Sequence, residues 1–208
     1  MEPSFDLHSL SHRALTGLLI PQWIREGRTD LDNCIESSAY GETPRALLEE
    51  IFQALELQKN DTFLDLGAGA GQVLAQASLR ASTCYGIERN PYLVEAGRQV
   101  LEETAVPPEN LLLADFLSST WPQEATKAFS TTARFGSETI EELSRLLETT
   151  EKLKRLVTLG RPLPPPERWQ LRLEKTVRVT WNPGEASLAE TFQLWERVNE
   201  KDAERRPG

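Results

Sequence analysis

Phe63-Leu64-Asp65-Leu66-Gly67-Ala68-Gly69-Ala70-Gly71-Gln72 is the stretch that decides the fold. A short apolar run ending in three alternating glycines reads as a buried strand that turns sharply into a helix. Glycines there let the backbone bend and let a ligand approach at the carboxyl edge of a sheet. The spacing departs from the dinucleotide fingerprint, because the third glycine follows the second by two residues and Asp65 precedes the first. No Gly-Lys-Ser/Thr follows, which argues against a nucleoside triphosphate. The stretch is a candidate nucleoside-cofactor loop.

Upstream, Thr43 is expected to cap a helix with Pro44 in its first turn, and Leu47, Leu48, Ile51, Phe52 and Leu55 carry it to about Leu57. Downstream, a helix is expected from Gln72 to about Arg80, a strand from Thr83 to Glu88, and a helix opened by Asn90-Pro91. After the Pro107-Pro108 break come a buried strand, Leu111 to Asp115, and a weaker one, Lys127 to Thr132. A helix capped by Ser137, with Ile140, Leu143 and Leu147 on one face, leads to a fifth strand, Leu156 to Leu159. Strands alternating with helices at this spacing predict an α/β domain with a mostly parallel sheet.

Beyond the Pro162 to Pro166 cluster the pattern changes. Trp169, Leu171, Leu173, Val177, Val179 and Trp181 alternate in period two, and Asn182-Pro183-Gly184 reads as a turn. Leu188 to Val198 fits a helix or a strand; a strand completing a β-hairpin makes the consistent whole. The expected organisation is a small helical lid over 1–39, one domain over 40–198 and a polar tail over 199–208.

The 208 residues suffice for one domain with its own core, and no apolar run nears the roughly 20 residues of a membrane-spanning helix. Leu15 to Ile20 is interrupted by Thr16 and Gly17, and no basic segment precedes it, unlike a signal peptide. Cys34 and Cys84 stand fifty residues apart, and His8 and His12 lack a third ligand, so neither a disulfide framework nor a metal centre is expected. A reducing, cytoplasmic location follows as the expectation. The net charge of -9 argues against a chain that binds nucleic acid over its whole surface. A strip over 152–178 nevertheless carries eight basic and two acidic residues, which suits an acidic partner or simply a solvated face. The acidic remainder suits a basic protein partner.

Two further strand ends complete the candidate crevice. Glu88 closes the second strand, seventeen residues after Gly71, where a carboxylate can accept from both ribose hydroxyls. Asp115 and Phe116 close the third, where a carboxylate can bond an adenine amino group and a ring can cover its face. Any of these alone reads as a cap or core residue; three together, beside Asp65, Gly67, Gly69 and Gly71, read as one ligand crevice.

The pattern DLGAGAG, then GIE, then ADF resembles the class I S-adenosylmethionine-dependent methyltransferases. The motifs Tyr40-Gly41-Glu42-Thr43, the glycine loop through Gln72-Val73, Tyr85 to Glu88, Ala114 to Leu117 and Val179-Thr180-Trp181 are similar, in order, to one branch. That branch is the Dot-one (disruptor of telomeric silencing) histone-lysine methyltransferases, and the resemblance runs from about Tyr40 to Val198. It implies a Rossmann-like, mostly parallel seven-stranded sheet with a C-terminal β-hairpin, and S-adenosylmethionine as cofactor. It also implies that Tyr40, Glu42 and Thr43 fold over the cofactor near its methionine end, with Gln72 beside it and Arg89 a further contact.

The acceptor half departs from the family. Where the family has an asparagine pair, this chain has Thr131 and Thr132, before Ala133-Arg134-Phe135-Gly136. A threonine can give one hydroxyl hydrogen bond but no bidentate amide contact. Where the family places tyrosines after the tryptophan, this chain has Ser187-Leu188-Ala189. Thr131, Thr132, Phe135 and Trp181 are the candidate acceptor-side residues, with Leu188 as further apolar wall. Since the sulfonium methyl is already activated, the implied chemistry needs alignment and exclusion of water rather than a dedicated base. Methyl transfer to a protein lysine is the first expectation. A small-molecule methyltransferase and an inactive cofactor-binding scaffold remain open.

Overall fold

A computed structural model describes residues 43–181 and 186–198. The lid over 1–39, Tyr40, Glu42, the Asn182-Pro183-Gly184 turn and the tail lie outside the described residues. Between them run α1 (Arg45–Ala54), β1 (Thr62–Leu66), α2 (Gln72–Ala77), β2 (Thr83–Glu88), α3 (Pro91–Leu101), β3 (Leu111–Leu113), β4 (Lys127–Thr131), α4 (Ser137–Leu146), β5 (Arg155–Gly160), β6 (Trp169–Val179) and β7 (Leu188–Arg197).

The strands form one seven-stranded sheet in the order β3-β2-β1-β4-β5-β7-β6. The first five are parallel, whereas β7 runs antiparallel to both β5 and β6. This is the mostly parallel sheet with a terminal hairpin expected from the sequence, and it settles the segment from Leu188 as strand, ending at Arg197. The chain builds outward from β1 through β2 to β3, then returns to lay β4 on the other side of β1. That reversal opens a crevice at the carboxyl ends of β1 and β4, where sheets of this kind take ligands.

The cores follow from the alternation of side chains along the strands. Phe63 of β1 packs with Leu48, Ile51 and Phe52 of α1, Leu74 of α2, and Val94 and Leu101 of α3 on one face. Phe52 and Phe63 meet edge to face, 5.9 Å between centroids. Leu64 and Leu66 point the other way, joining Ile140 and Leu143 of α4 with Trp169 and Trp195 of the hairpin. Among the described residues, three helices thus cover one face and α4 the other.

Two helix starts differ from expectation. Pro44, not Thr43, is the N-cap of α1: it is still extended, with φ −56° and ψ 139°, and its carbonyl takes the N–H groups of Leu47 and Leu48. Thr43 therefore sits one residue too early to cap. At the other end Glu56 takes a left-handed φ of 50°, and Leu57 N–H returns to Phe52 O, which ends the helix at Ala54 rather than Leu57. Gly136, not Ser137, is the N-cap of α4, because the Ser137 hydroxyl is turned to Arg161. α3 starts as expected, the Asn90 side chain accepting from the N–H groups of Tyr92 at 3.0 Å and Leu93 at 3.4 Å.

Four basic residues of the 152–178 strip find acidic partners within the molecule. Arg155 pairs with Glu56 at 2.7 Å and Glu196 at 3.0 Å, Arg172 with Glu196 at 2.5 Å, Arg168 with Glu148 at 3.8 Å, and Lys175 with Glu50. Much of the strip's charge is thereby matched, as on a solvated face. No helix among the described residues is long and apolar enough to cross a membrane.

Candidate active site

At the carboxyl end of β1 the backbone enters three left-handed glycines, Gly67 at φ 83°, Gly69 at 54° and Gly71 at 75°. Side chains are strained in that conformation, so the repeat of glycines gives a loop whose main chain faces the crevice. Gly71 is the N-cap of α2, and Gln72, its first residue, is buried.

Glu88, at the end of neighbouring β2, fixes this loop. Its Oε2 accepts from the Gly69 N–H at 3.0 Å and its Oε1 from the Asn90 N–H at 2.8 Å. Each carboxylate oxygen has a second acceptor position, so both remain able to receive a hydroxyl. Asp115 lies two residues beyond the short β3 and is exposed, its Oδ1 accepting from the Leu117 N–H at 2.9 Å. Phe116 is buried beside it.

Asp65 is the unusual group. It is 2% exposed, and its Oδ2 has no hydrogen-bond partner among the described residues. Burial, with the nearby Glu88 carboxylate adding to it, pushes its carboxyl up to about 8. Asp65 is not itself in the cleft lining but stands two residues before Gly67, which is; a buried carboxyl with an open oxygen favours a cationic or hydrogen-bond-donating group against it.

The cleft is lined by Gly67, Glu88, Arg89, Asp115, Phe116 and Phe135, together with residues from Arg134 to Thr139 at the start of α4. The three strand ends expected to converge are together in it. Phe135 faces Phe116 at 5.4 Å between ring centroids, and its Cζ stands 3.5 Å from where a Cβ on Gly67 would lie. Arg134 and Gly136 were missed because a loop after a weak strand carries no periodic signal, and Thr139 because it is a polar residue in the first turn of α4, off its apolar face.

The remaining acceptor-side candidates are dispersed. Thr131 ends β4, half-buried, opposite Leu159 of β5. Thr132 is fully buried, its hydroxyl 2.7 Å from the Arg161 carbonyl and 3.3 Å from that of Leu159, so its single proton is committed to the main chain. Trp181 is buried in the core on the α1 face, its Nε1 donating to Glu190 at 3.0 Å. None of these three is in the cleft lining, and Leu188 is exposed at the start of β7. Thr43 is buried just ahead of α1.

Residues 33–105 match the family model of the histone methylation protein DOT1. A histone-lysine N-methyltransferase specific for H3 lysine-79 from Drosophila melanogaster is 44% identical over 52 residues, which is 24% of this chain and 3% of that protein. A protein of the same description from Cryptococcus neoformans is 36% identical over 69 residues, 33% of this chain and 11% of its own length. The aligned stretch is thus a small part of those relatives. An RNA methyltransferase from Salinibacter ruber, solved with S-adenosyl-L-homocysteine, superposes with a TM-score of 0.57 at 22% identity, covering 76% of this chain and 95% of that one. The fold is the class I, Rossmann-like methyltransferase fold, and the sequence resemblance to DOT1 falls on the segment that carries α1, the glycine loop, β2 and α3.

Proposed function

We propose that this chain is an S-adenosylmethionine-dependent methyltransferase of the Dot-one type that methylates a lysine of a basic protein. The observation that carries the cofactor assignment is the cleft in which Gly67, Glu88, Asp115 and Phe116 converge; Asp65, a buried carboxyl with an open oxygen two residues before Gly67, suits a ligand that brings a cationic group to it. The glycine loop and the second acceptor positions of Glu88 fit the same ligand. Asp65, Gly67, Gly69, Gly71, Gln72, Glu88, Arg89, Asp115 and Phe116 would hold it, with Tyr40, Glu42 and Thr43 closing over it. When bound, it supplies an activated sulfonium methyl.

The chain's own task is then alignment and dehydration. Glu88 sets the shape of the glycine loop and Phe116 and Phe135 give an apolar wall, while Thr131, outside the cleft lining at the end of β4, is the one acceptor-side threonine whose hydroxyl is not committed to Arg161 and Leu159. A lysine acceptor must lose its proton, which an apolar approach favours by destabilising the ammonium. The relatives are histone methyltransferases by description, and the net charge of -9 supports a basic protein substrate. The methyltransferase domain is taken as 40–198. The buried free thiol of Cys84 supports a reducing compartment, the cytoplasm being the one proposed.

One observation favours a second reading, a cofactor-binding scaffold: Thr132 spends its hydroxyl on the carbonyls of Leu159 and Arg161, leaving Thr131 alone where the family has two amides. The experiment is binding of S-adenosylhomocysteine by calorimetry, followed by transfer of labelled methyl into a lysate split into protein, nucleic-acid and small-molecule fractions. Methyllysine in a labelled protein band supports the proposal. Label confined to small molecules replaces the acceptor class, and binding with no label anywhere favours the scaffold.

A further inference from the structure

Arg161 lies just past β5, outside every motif noted in the sequence. Its guanidinium reaches over the loop that follows β4: Nη1 donates to the Phe135 carbonyl at 2.7 Å and Nη2 to the Ser137 hydroxyl at 3.2 Å. Its own carbonyl receives the Thr132 hydroxyl at 2.7 Å, so Arg161 grips the loop at its start and its end. Inside the grip, the Phe135 N–H turns back to the Thr132 carbonyl at 3.1 Å, and the Thr132 N–H is bound to the Leu159 carbonyl at 2.8 Å.

The preceding residue closes the remaining gap. Gly160 has a φ of 124°, and a Cβ there would lie 2.2 Å from the Ala133 nitrogen. The end of β5 thus runs against the loop with no room between them. The five-residue connection 132–136, which could sample many conformations, is tied at 132 and 135, abutted at 133 and held at Ser137, the first residue of α4. What the tie holds in place is the Phe135 ring, set against Phe116 and the start of the glycine loop.

We propose that Arg161 is a positioning residue for the cleft, acting through Phe135 on ligand affinity. The inference rests on the cofactor-binding reading above. Arg161 is exposed, so its hydrogen bonds add little to global stability; their effect is to remove the loop's alternative conformations before the ligand arrives. The fork of arginine is the reason for the residue: its planar guanidinium presents two nitrogens at a fixed separation to two acceptors, a geometry that the compact ammonium of lysine does not reproduce.

A double-mutant cycle on the full chain tests this, read as the dissociation constant of S-adenosylhomocysteine. Arg161→Met is expected to weaken binding about tenfold, and Phe135→Ala by at least as much. In the Phe135→Ala background Arg161→Met is expected to add nothing, because the group it acts through is gone. Arg161→Lys is expected to recover only part of the affinity, and it takes the place of Arg161→Met in the cycle should that variant not fold. Thermal midpoints within a few degrees of wild type would accompany these changes. Additive losses, or wild-type affinity in Arg161→Met, would overturn the inference while leaving the cofactor reading intact. No binding by the wild type would overturn both.

Discussion

The Glu88 carboxylate and the Gly69 N–H are joined at 3.0 Å across the crevice, so the end of β2 holds the loop that leaves β1. The same side chain caps the turn into α3 through the Asn90 N–H. One carboxylate therefore shapes the ligand loop before any ligand is present, as preorganised binding requires. Glu88→Ala is expected to lower S-adenosylhomocysteine affinity by about a hundredfold or more, by loss of charge-assisted bonds to loop and ligand. Glu88→Gln, which keeps one acceptor oxygen, is expected to fall between. Unchanged affinity in calorimetry of Glu88→Ala would remove Glu88 from the site.

Asp65 predicts a pH dependence with a definite sign. Its carboxyl is raised from 3.8 to about 8 in the folded chain, so the folded state holds a proton that the unfolded state has released. Stability without ligand is expected to fall as pH rises between about 4 and 8 and to level off above. Asp65→Asn should flatten that slope in urea melts taken across the range. Ligand binding should release close to one proton at pH 7, visible as a dependence of calorimetric heat on buffer ionisation enthalpy. A pH-independent wild-type melt would contradict the assignment.

Gly97 lies on α3 where the helix crosses β3 and the glycine loop. A Cβ there would stand 2.5 Å from Leu111 Cδ2 and 2.9 Å from the Ala70 carbonyl carbon. Alanine ordinarily gains about 1 kcal/mol over glycine inside a helix, but overpacking costs about 1–3 kcal/mol. Backbone on one side leaves little to yield, so Gly97→Ala is expected to be destabilising in chemical denaturation and to weaken ligand binding through Ala70. A stabilised variant would show that α3 can shift.

Thr131 and Thr132 should separate cleanly. Thr132→Val leaves the Arg161 carbonyl without its donor and is expected to cost about 1–3 kcal/mol in a urea melt. Thr131→Val changes a half-buried residue and is expected to leave stability within about 0.5 kcal/mol, while lowering the rate of methyl transfer if its hydroxyl meets the acceptor. Equal rates for Thr131→Val and wild type would remove Thr131 from the acceptor side.

Legibility in the sequence followed the range of the interactions. The glycine loop, the Asn90 cap and β2 are local patterns, and the strand ends bearing Glu88 and Asp115 converge because parallel topology forces them to. Leu188 to Val198 was ambiguous alone because its apolar residues satisfy both periods; pairing with β5 and β6 decides it. Thr43 and Ser137 looked like caps, yet an extended Pro44 and the pull of Arg161 on the Ser137 hydroxyl moved both starts by one residue. The Arg161 contact to Phe135 spans 26 positions and joins a loop to a loop, so no periodicity announces it. Thr132, read as facing the acceptor, faces β5 instead, since the last residues of β4 remain in register with Leu159.

The placement of β7 bears on how the chain is made. It follows β6 in sequence but inserts between β5 and β6 in the sheet. Until β7 leaves the ribosome, β5 presents a bare apolar edge and β6 has no strand to pair with. The nascent chain must therefore wait for β7, and a product stopped before Leu188 would expose the edge of β5 to other chains. Protection of that edge during synthesis is a demand that this order of strands places on the cell.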